Sequence, residues 1–323
     1  MAGTVRLVDL LGGLSMVADY GFGLPPGTAV RSCLVAAALA RRLNLTDDDV
    51  RDSFYTALLM HIGCVGVAHE AASAFGDDLA LNRAVAHTDI TDPNDIVATF
   101  LPRMTIGMTS EMTAQVTAFT LTGGAEWGRR TDVGVCEVAR DTARRLGLPR
   151  STQQALYHVY ESWSGGYVPS GLRADEIAIA SRVARAAMDA AFFGQLGGPE
   201  GAVTALRRRA GGILDPAVVD AFTADPESIL AEVDDNVDHH DRMLTVEPDP
   251  VLTTSAGGML ELATTFGDLA DIKVPSLHGH SRKVARLAAG AARRLRLGEE
   301  VVRQVEIAGL LHDVGRVGVS DRV

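Results

Sequence analysis

The residues best able to do chemistry lie near the end of the chain. His312 and Asp313 are adjacent, and His280 stands one expected helix upstream. Imidazole nitrogen and carboxylate oxygen together suit divalent ions such as Fe, Mn or Zn, and a His/His/Asp set leaves coordination positions open for water or a phosphate oxygen. Open positions point to catalysis: the ion acidifies water and polarises a phosphoryl oxygen, and a carboxylate that bridges two ions serves both the attacking and the leaving oxygen. Asp313 is the candidate bridge and catalytic carboxylate. Gly315 lets the backbone turn closely behind the pair, and Arg316 is placed to face a phosphate. A His-Asp pair at a helix end also has a plainer reading as two caps; His280 at the start of the preceding helix favours the metal.

The elements that must position these residues are helices. Val284, Leu287, Ala288, Ala291 and Leu295 recur at three- and four-residue steps, with Arg282, Arg286, Arg293 and Arg294 mostly on the opposite side, which predicts a core-facing helix. A second helix is expected from about Glu299 to His312. Further starts are marked by Thr46 with Asp49 three residues on, and by Asp215-Pro216 and Asp225-Pro226, each an N-cap followed by proline at the first helical position. Glu247-Pro248-Asp249-Pro250 forbids helix and reads as a linker after the polar stretch 234–241. The expected division is 1–235, a linker at 236–255, and a second unit at 256–323.

The two sides of that linker are related. At a constant offset of 252 residues, 28–71 aligns with 280–323 without a gap, and about fifteen positions, roughly a third, are identical. The identities include Arg41-Arg42-Leu43 with Arg293-Arg294-Leu295, Leu58-Leu59 with Leu310-Leu311, and the shared G-x-V-G-V at Gly63 and Gly315. The differences carry the chemistry: Thr28 stands opposite His280, Met60 opposite His312 and His61 opposite Asp313. Common ancestry with loss of metal ligands from the first copy explains both sets.

Composition narrows the function classes. Hydrophobic residues make up 47% of 323 residues and aromatics 5%, so Ala- and Leu-rich helix packing is favoured over sheet. The net charge of −11, with arginines scattered rather than gathered in a stripe, removes the electrostatic footprint of a nucleic-acid binder. Cys33, Cys64 and Cys136 lack CxxC spacing and read as buried thiols in a reducing compartment. The sequence shows neither an apolar run long enough to span a membrane nor a signal peptide, so the expected location is the cytoplasm.

DIKVPSLHGHSRKVA (271–285) and AGLLHDVGRVGV (308–319) resemble the D-x-K…H and HD-x-G-[KR] elements of the HD phosphohydrolase superfamily, specifically its HD-GYP branch. The resemblance implies an all-α, HD-like helical bundle. It makes His280, His312 and Asp313 metal ligands, Arg316 the basic residue after HD-x-G, and Lys273 a contact to substrate phosphate. It also implies two or three divalent ions and hydrolysis of a cyclic dinucleotide, notably cyclic di-GMP. The first side carries a wider, eroded version: 161–191 is similar to the segment around HHE-x-x-DG-x-GYP, and 211–222 to the G-x-x-DP-x-x-V tail. There Val159 and Tyr160 replace paired histidines, Ser164 the aspartate of DG, and Met188 a metal aspartate, while Glu161 survives. His158 and Asp189 lie one position off, which on a helix turns a side chain by about 100°.

The remaining ligands of such a site would follow Val323. The expectation is therefore a longer parent protein, of the type that continues through HD-GYP to a LuxR-type helix-turn-helix, with these 323 residues inactive by themselves. The other reading is a pseudo-enzyme that senses a nucleotide or binds a partner and controls a linked output such as transcription. Unfilled core on the second unit leaves a homodimer open. His239-His240-Asp241, His278, His61 and His69 are read as surface, loop or packing residues, Cys64 as a buried thiol, and Asp47, Asp48 and Asp49 as partners of a helix dipole.

Overall fold

The computed structural model describes residues 4–322, so residues 1–3 and 323 of the two expected units lie outside the described residues. Helices dominate: α1 (Leu7–Phe22), α2 (Thr28–Arg42), α3 (Asp47–Leu59), α4 (Ala68–Phe75), α5 (Asp78–His87), α6 (Ser110–Phe119), α7 (Ala125–Arg145) and α8 (Arg150–Tyr157). They continue as α9 (Ile179–Arg209), α10 (Pro216–Thr223), α11 (Pro226–Leu230), α12 (His239–Val246), α13 (Ala256–Ile272), α14 (His280–Arg294) and α15 (Glu299–Leu311). The described strands, β1 (Val5–Arg6) and β2 (Thr253–Thr254), form one two-residue antiparallel pairing. The all-α, HD-like bundle expected from the sequence is what is found.

Local chemistry explains where the helices begin. The Thr46 hydroxyl accepts the Asp49 N–H, and Asp215 and Asp225 accept N–H groups just inside helices that open with Pro216 and Pro226. Each cap satisfies a donor that the first helical turn leaves without a partner. The helices expected from the periodicity at 284–295 and from Glu299 are α14 and α15, and α15 closes at Leu311, so His312 is its C-cap.

The sequence repeat is a structural repeat. α2 and α14, and α3 and α15, begin and end at the same offset that aligns their sequences. Gly27 and Gly279 both enter their helices at positive φ, 83° and 74°, a conformation cheap only for glycine. Asn44 and Arg296 both take a left-handed conformation just after α2 and α14. The two copies face each other across a shared apolar seam lined by Leu14, Val17, Ala18, Ile62 and Val65 from the first and by their repeat counterparts Phe266, Leu269, Ala270, Val314 and Val317 from the second. Around the seam, the backbone of Gly318 approaches Tyr20 and that of Gly66 approaches Ile272, which are again counterparts. This reciprocity is the signature of an isologous, twofold-like interface, here built within one chain.

The segment expected as a linker is folded along part of its length. Asp238 caps α12, accepting from the backbone of His240 and Asp241. Glu247 is buried, with the Tyr55 hydroxyl donating to it at 2.6 Å and Arg6 paired to its other oxygen. Around its prolines, 247–252 keeps the non-helical path that they impose.

Candidate metal centre

His280 is the first residue of α14, and His312 and Asp313 end α15 and open the turn at Val314–Gly318. The two helices pack so closely at Gly309 that an added Cβ would lie 2.7 Å from the Ala285 Cα, and this contact sets the distance between the ligands. The start of α14 is fixed from behind. Asp271, at the end of α13, accepts both the Ser281 N–H (2.9 Å) and the Ser281 hydroxyl (2.7 Å). In the first copy Asp19 does the same for the Ala29 N–H. Asp271 went unassigned in the sequence, although its identity with Asp19 appears once the repeat comparison is extended nine residues upstream.

The three candidate ligands converge. One donor atom from each of His280, His312 and Asp313 lies within 4.8 Å of the others, and this is the one such group among the described residues. Asp313 Oδ2 is the hub, 3.5 Å from His312 Nε2 and 3.9 Å from His280 Nε2. The His312 Nδ1 lies 2.9 Å from the Gly309 carbonyl. A carbonyl only accepts, so Nδ1 carries the proton and Nε2 keeps its lone pair for an ion. Two donors on one ion at about 2.1 Å sit roughly 3 to 4.2 Å apart, so a small closure of the trio would seat a divalent cation. The side chains are 39% (His280), 35% (His312) and 20% (Asp313) exposed, which leaves one side of the site open to further ligands. The donor set and its openness fit a catalytic type of divalent site.

Arg316 also reaches the hub, donating from Nη2 to Asp313 Oδ2 at 2.8 Å, so here it balances the carboxylate charge. Lys273 is placed differently from expectation. Its ammonium is buried and donates to Asp78 Oδ2 (2.8 Å) and the Val317 carbonyl (3.0 Å), so its hydrogen bonds hold the turn against α5. Asp78 also accepts the Ser320 hydroxyl (2.9 Å) and the Asp321 N–H (3.0 Å). Sequence could not show this role for Lys273, because its acid partner comes from the other side of the chain.

The first copy has a different interior at the equivalent place. Met60, Val159 and Met188, which stand where ligands are expected, pack with Phe22, Cys64 and Phe192 in one apolar cluster. His61 is buried and stacked on Phe22 with ring centroids 4.3 Å apart, and burial holds its imidazole down at about 3, hence neutral. Cys64 contacts the Tyr160 hydroxyl, and burial pushes its thiol up to about 12. Asp189 forms a buried pair with Arg209 at 2.6 Å and His158 bonds Gln154, so neither offset residue replaces a lost ligand. Glu161 accepts the Ser170 N–H. His240 pairs with Asp9 on the surface, and His278 is exposed.

The fold and the trio define an HD-type helical bundle with a His/His/Asp centre. Residues 277–323, which contain the trio, match the family model of the HD domain. Across 327 aligned residues the chain is 26% identical to the 3'3'-cGAMP-specific phosphodiesterase 3 of Vibrio cholerae serotype O1 (strain ATCC 39315 / El Tor Inaba N16961), covering 99% of this chain and 70% of that protein. The crystal structure of a cyclic GMP-AMP specific phosphodiesterase of V. cholerae, V-cGAP3, is similar in fold. It gives a TM-score of 0.73 at 24% identity, covering 99% of this chain and 73% of that one. These findings support placement in the HD phosphohydrolase superfamily.

Proposed function

We propose that His280, His312 and Asp313 hold a divalent ion that serves hydrolysis of a cyclic dinucleotide phosphodiester, in the manner of the HD-GYP branch, and that the N-terminal copy is non-catalytic. The observation that carries this reading is the convergence of three donors at an open site in the second copy, where the first copy is apolar. The activity in the name of the V. cholerae relative supports the substrate class. Within that class 3'3'-cGAMP and cyclic di-GMP are the substrates to test.

When bound, a divalent ion would supply Lewis-acid polarisation of a phosphoryl oxygen and acidify water. The protein's own contributions are specific. His312 presents an unprotonated Nε2 because Nδ1 is engaged by the Gly309 carbonyl. Asp313 Oδ2 gathers the site, and Asp271 fixes the end of α14 from which His280 projects. Arg316 uses one nitrogen on Asp313 and is half-exposed, which leaves guanidinium N–H groups for a phosphate oxygen. Lys273 acts as a positioning residue through the Val317 carbonyl.

The test is incubation of Mn- or Fe-loaded protein with either cyclic dinucleotide, with products separated by chromatography. Linear dinucleotide that disappears with Asp313→Ala supports the proposal. Cleavage unaffected by Asp313→Ala overturns it. Protein that takes up no Mn or Fe, yet binds the dinucleotide and leaves it intact, also overturns it and favours a sensing role, for which the loss of ligands from the first copy is the motivating observation.

A further inference from the structure

The vestigial copy is not solidly filled. Beneath its eroded ligand positions lies a cavity of about 200 Å³, walled by segments from α1, α4, α5, α7 and α9 together with the turns and loops between helices. A cavity of roughly 150 Å³ already holds benzene, so one substituted ring or a short acyl chain fits here, while a cyclic dinucleotide does not. Its walls are mainly apolar and rich in rings, among them Phe75, Phe100, Trp127 and Tyr160. Two irregular turns with π-helical hydrogen bonding, Ile96–Phe100 and Thr120–Gly124, supply part of the lining, and such turns inside helical segments concentrate at functional sites.

The polar groups at this cavity are unevenly satisfied. Arg185 is the one Lys or Arg among the lining residues and Asp132 the one carboxylate. Arg185 lies over the Tyr160 ring, 5.3 Å from its centroid, and its Nε is buried without a hydrogen-bond partner. His61, 2% exposed, has no partner on either ring nitrogen. Asp132 already has a donor in the Tyr167 hydroxyl, and burial raises its carboxyl to about 6, which weakens its opposition to a second anion in slightly acid solution. The unmet need is therefore for an acceptor beside Arg185 and His61, and leaving such donors unpaired is costly.

We propose that this cavity is a binding site for a small carboxylic acid with an aromatic or short aliphatic body. The carboxylate is received by Arg185 and His61 and the body by the ring-lined wall. The site is separate from the His280/His312/Asp313 centre and does not depend on the function proposed for it. It turns the lost active site of the first copy into a receptor for a different chemical class.

Trp127 in the wall gives a direct readout, and Trp163→Phe removes the other tryptophan signal. The probes are 4-isopropylbenzoate and its uncharged analogue isopropylbenzene, followed by tryptophan emission and calorimetry. The expected result is saturable one-to-one binding of the acid, at least about tenfold tighter than the hydrocarbon, with Arg185→Met erasing that difference. Ala71→Phe, which places a ring in the cavity, should abolish both responses. Should Ala71→Phe fail to fold, Arg185→Met alone still decides the matter, with far-UV circular dichroism as the control. Absence of saturable binding up to millimolar acid, or equal affinity for acid and hydrocarbon, overturns the proposal.

Discussion

Lys273 and Asp78 provide a sharp test, because the sequence and the structure give Lys273 different work. The pair is buried, with 1% and 0% of the side chains exposed, and its atoms lie 2.8 Å apart. Removing one member of a buried pair typically costs about 3–5 kcal/mol, since the partner is left charged and desolvated. The two truncations should differ. In Lys273→Met, Asp78 keeps two donors, the Ser320 hydroxyl and the Asp321 N–H, so a loss near the lower end, about 3 kcal/mol, is expected. In Asp78→Leu, the ammonium keeps only the Val317 carbonyl, and the Ser320 and Asp321 donors lose their acceptor, so the loss should approach about 5 kcal/mol. The double variant should cost clearly less than the sum, with a coupling of about 2 kcal/mol or more. Urea unfolding followed by circular dichroism measures all three. Single losses below about 1 kcal/mol, or simple additivity, would refute the positioning role. Unchanged stability with a raised KM for a cyclic dinucleotide would instead restore the phosphate contact expected from the sequence.

Arg316→Gln removes the cation 2.8 Å from Asp313 Oδ2, so Mn²⁺ binding measured by calorimetry should tighten about two- to fivefold, the scale of an exposed ion pair, while turnover falls; weaker binding contradicts the shared-oxygen geometry. His61→Phe tests the neutral buried imidazole. Its folded-state value of about 3 lies below the ordinary 6.5, mainly through burial and secondarily through Arg185, so the unfolded chain binds the extra proton. This contribution to stability is therefore complete above about pH 6.5 and is lost as pH falls toward 3. Between pH 6.5 and 5 the variant should lose about 1.6 kcal/mol less than the parent in urea titrations, and parallel pH curves would contradict this assignment.

Much of the architecture was legible because it rests on local rules. Helix caps at Thr46, Asp215 and Asp225 need only residues three or fewer positions away, and the apolar period of α14 is complete within the helix. The trio was legible for another reason. Its members are joined by two helices of fixed length, and the repeat supplied a copy without these donors for comparison. What stayed hidden depends on partners far away in sequence. Lys273 meets Asp78 and Glu247 meets Tyr55, and no periodicity reports contacts across such separations. The polar, proline-flanked stretch 238–247 looked like solvated chain, yet a single Asp cap and one buried glutamate suffice to fold much of it. The cavity was hidden as well, since the residues that wall it are ordinary core types and no local pattern reports that they leave space between them.

The central claim is that the chain keeps one metal centre, in its second copy, and has lost the other. Equilibrium titration with Mn²⁺ or Fe²⁺ against the parent, Asp313→Ala and His61→Phe addresses it most directly. The account predicts saturable binding in the parent and in His61→Phe, and none in folded Asp313→Ala. Binding that survives Asp313→Ala, or that disappears with His61→Phe, would contradict it.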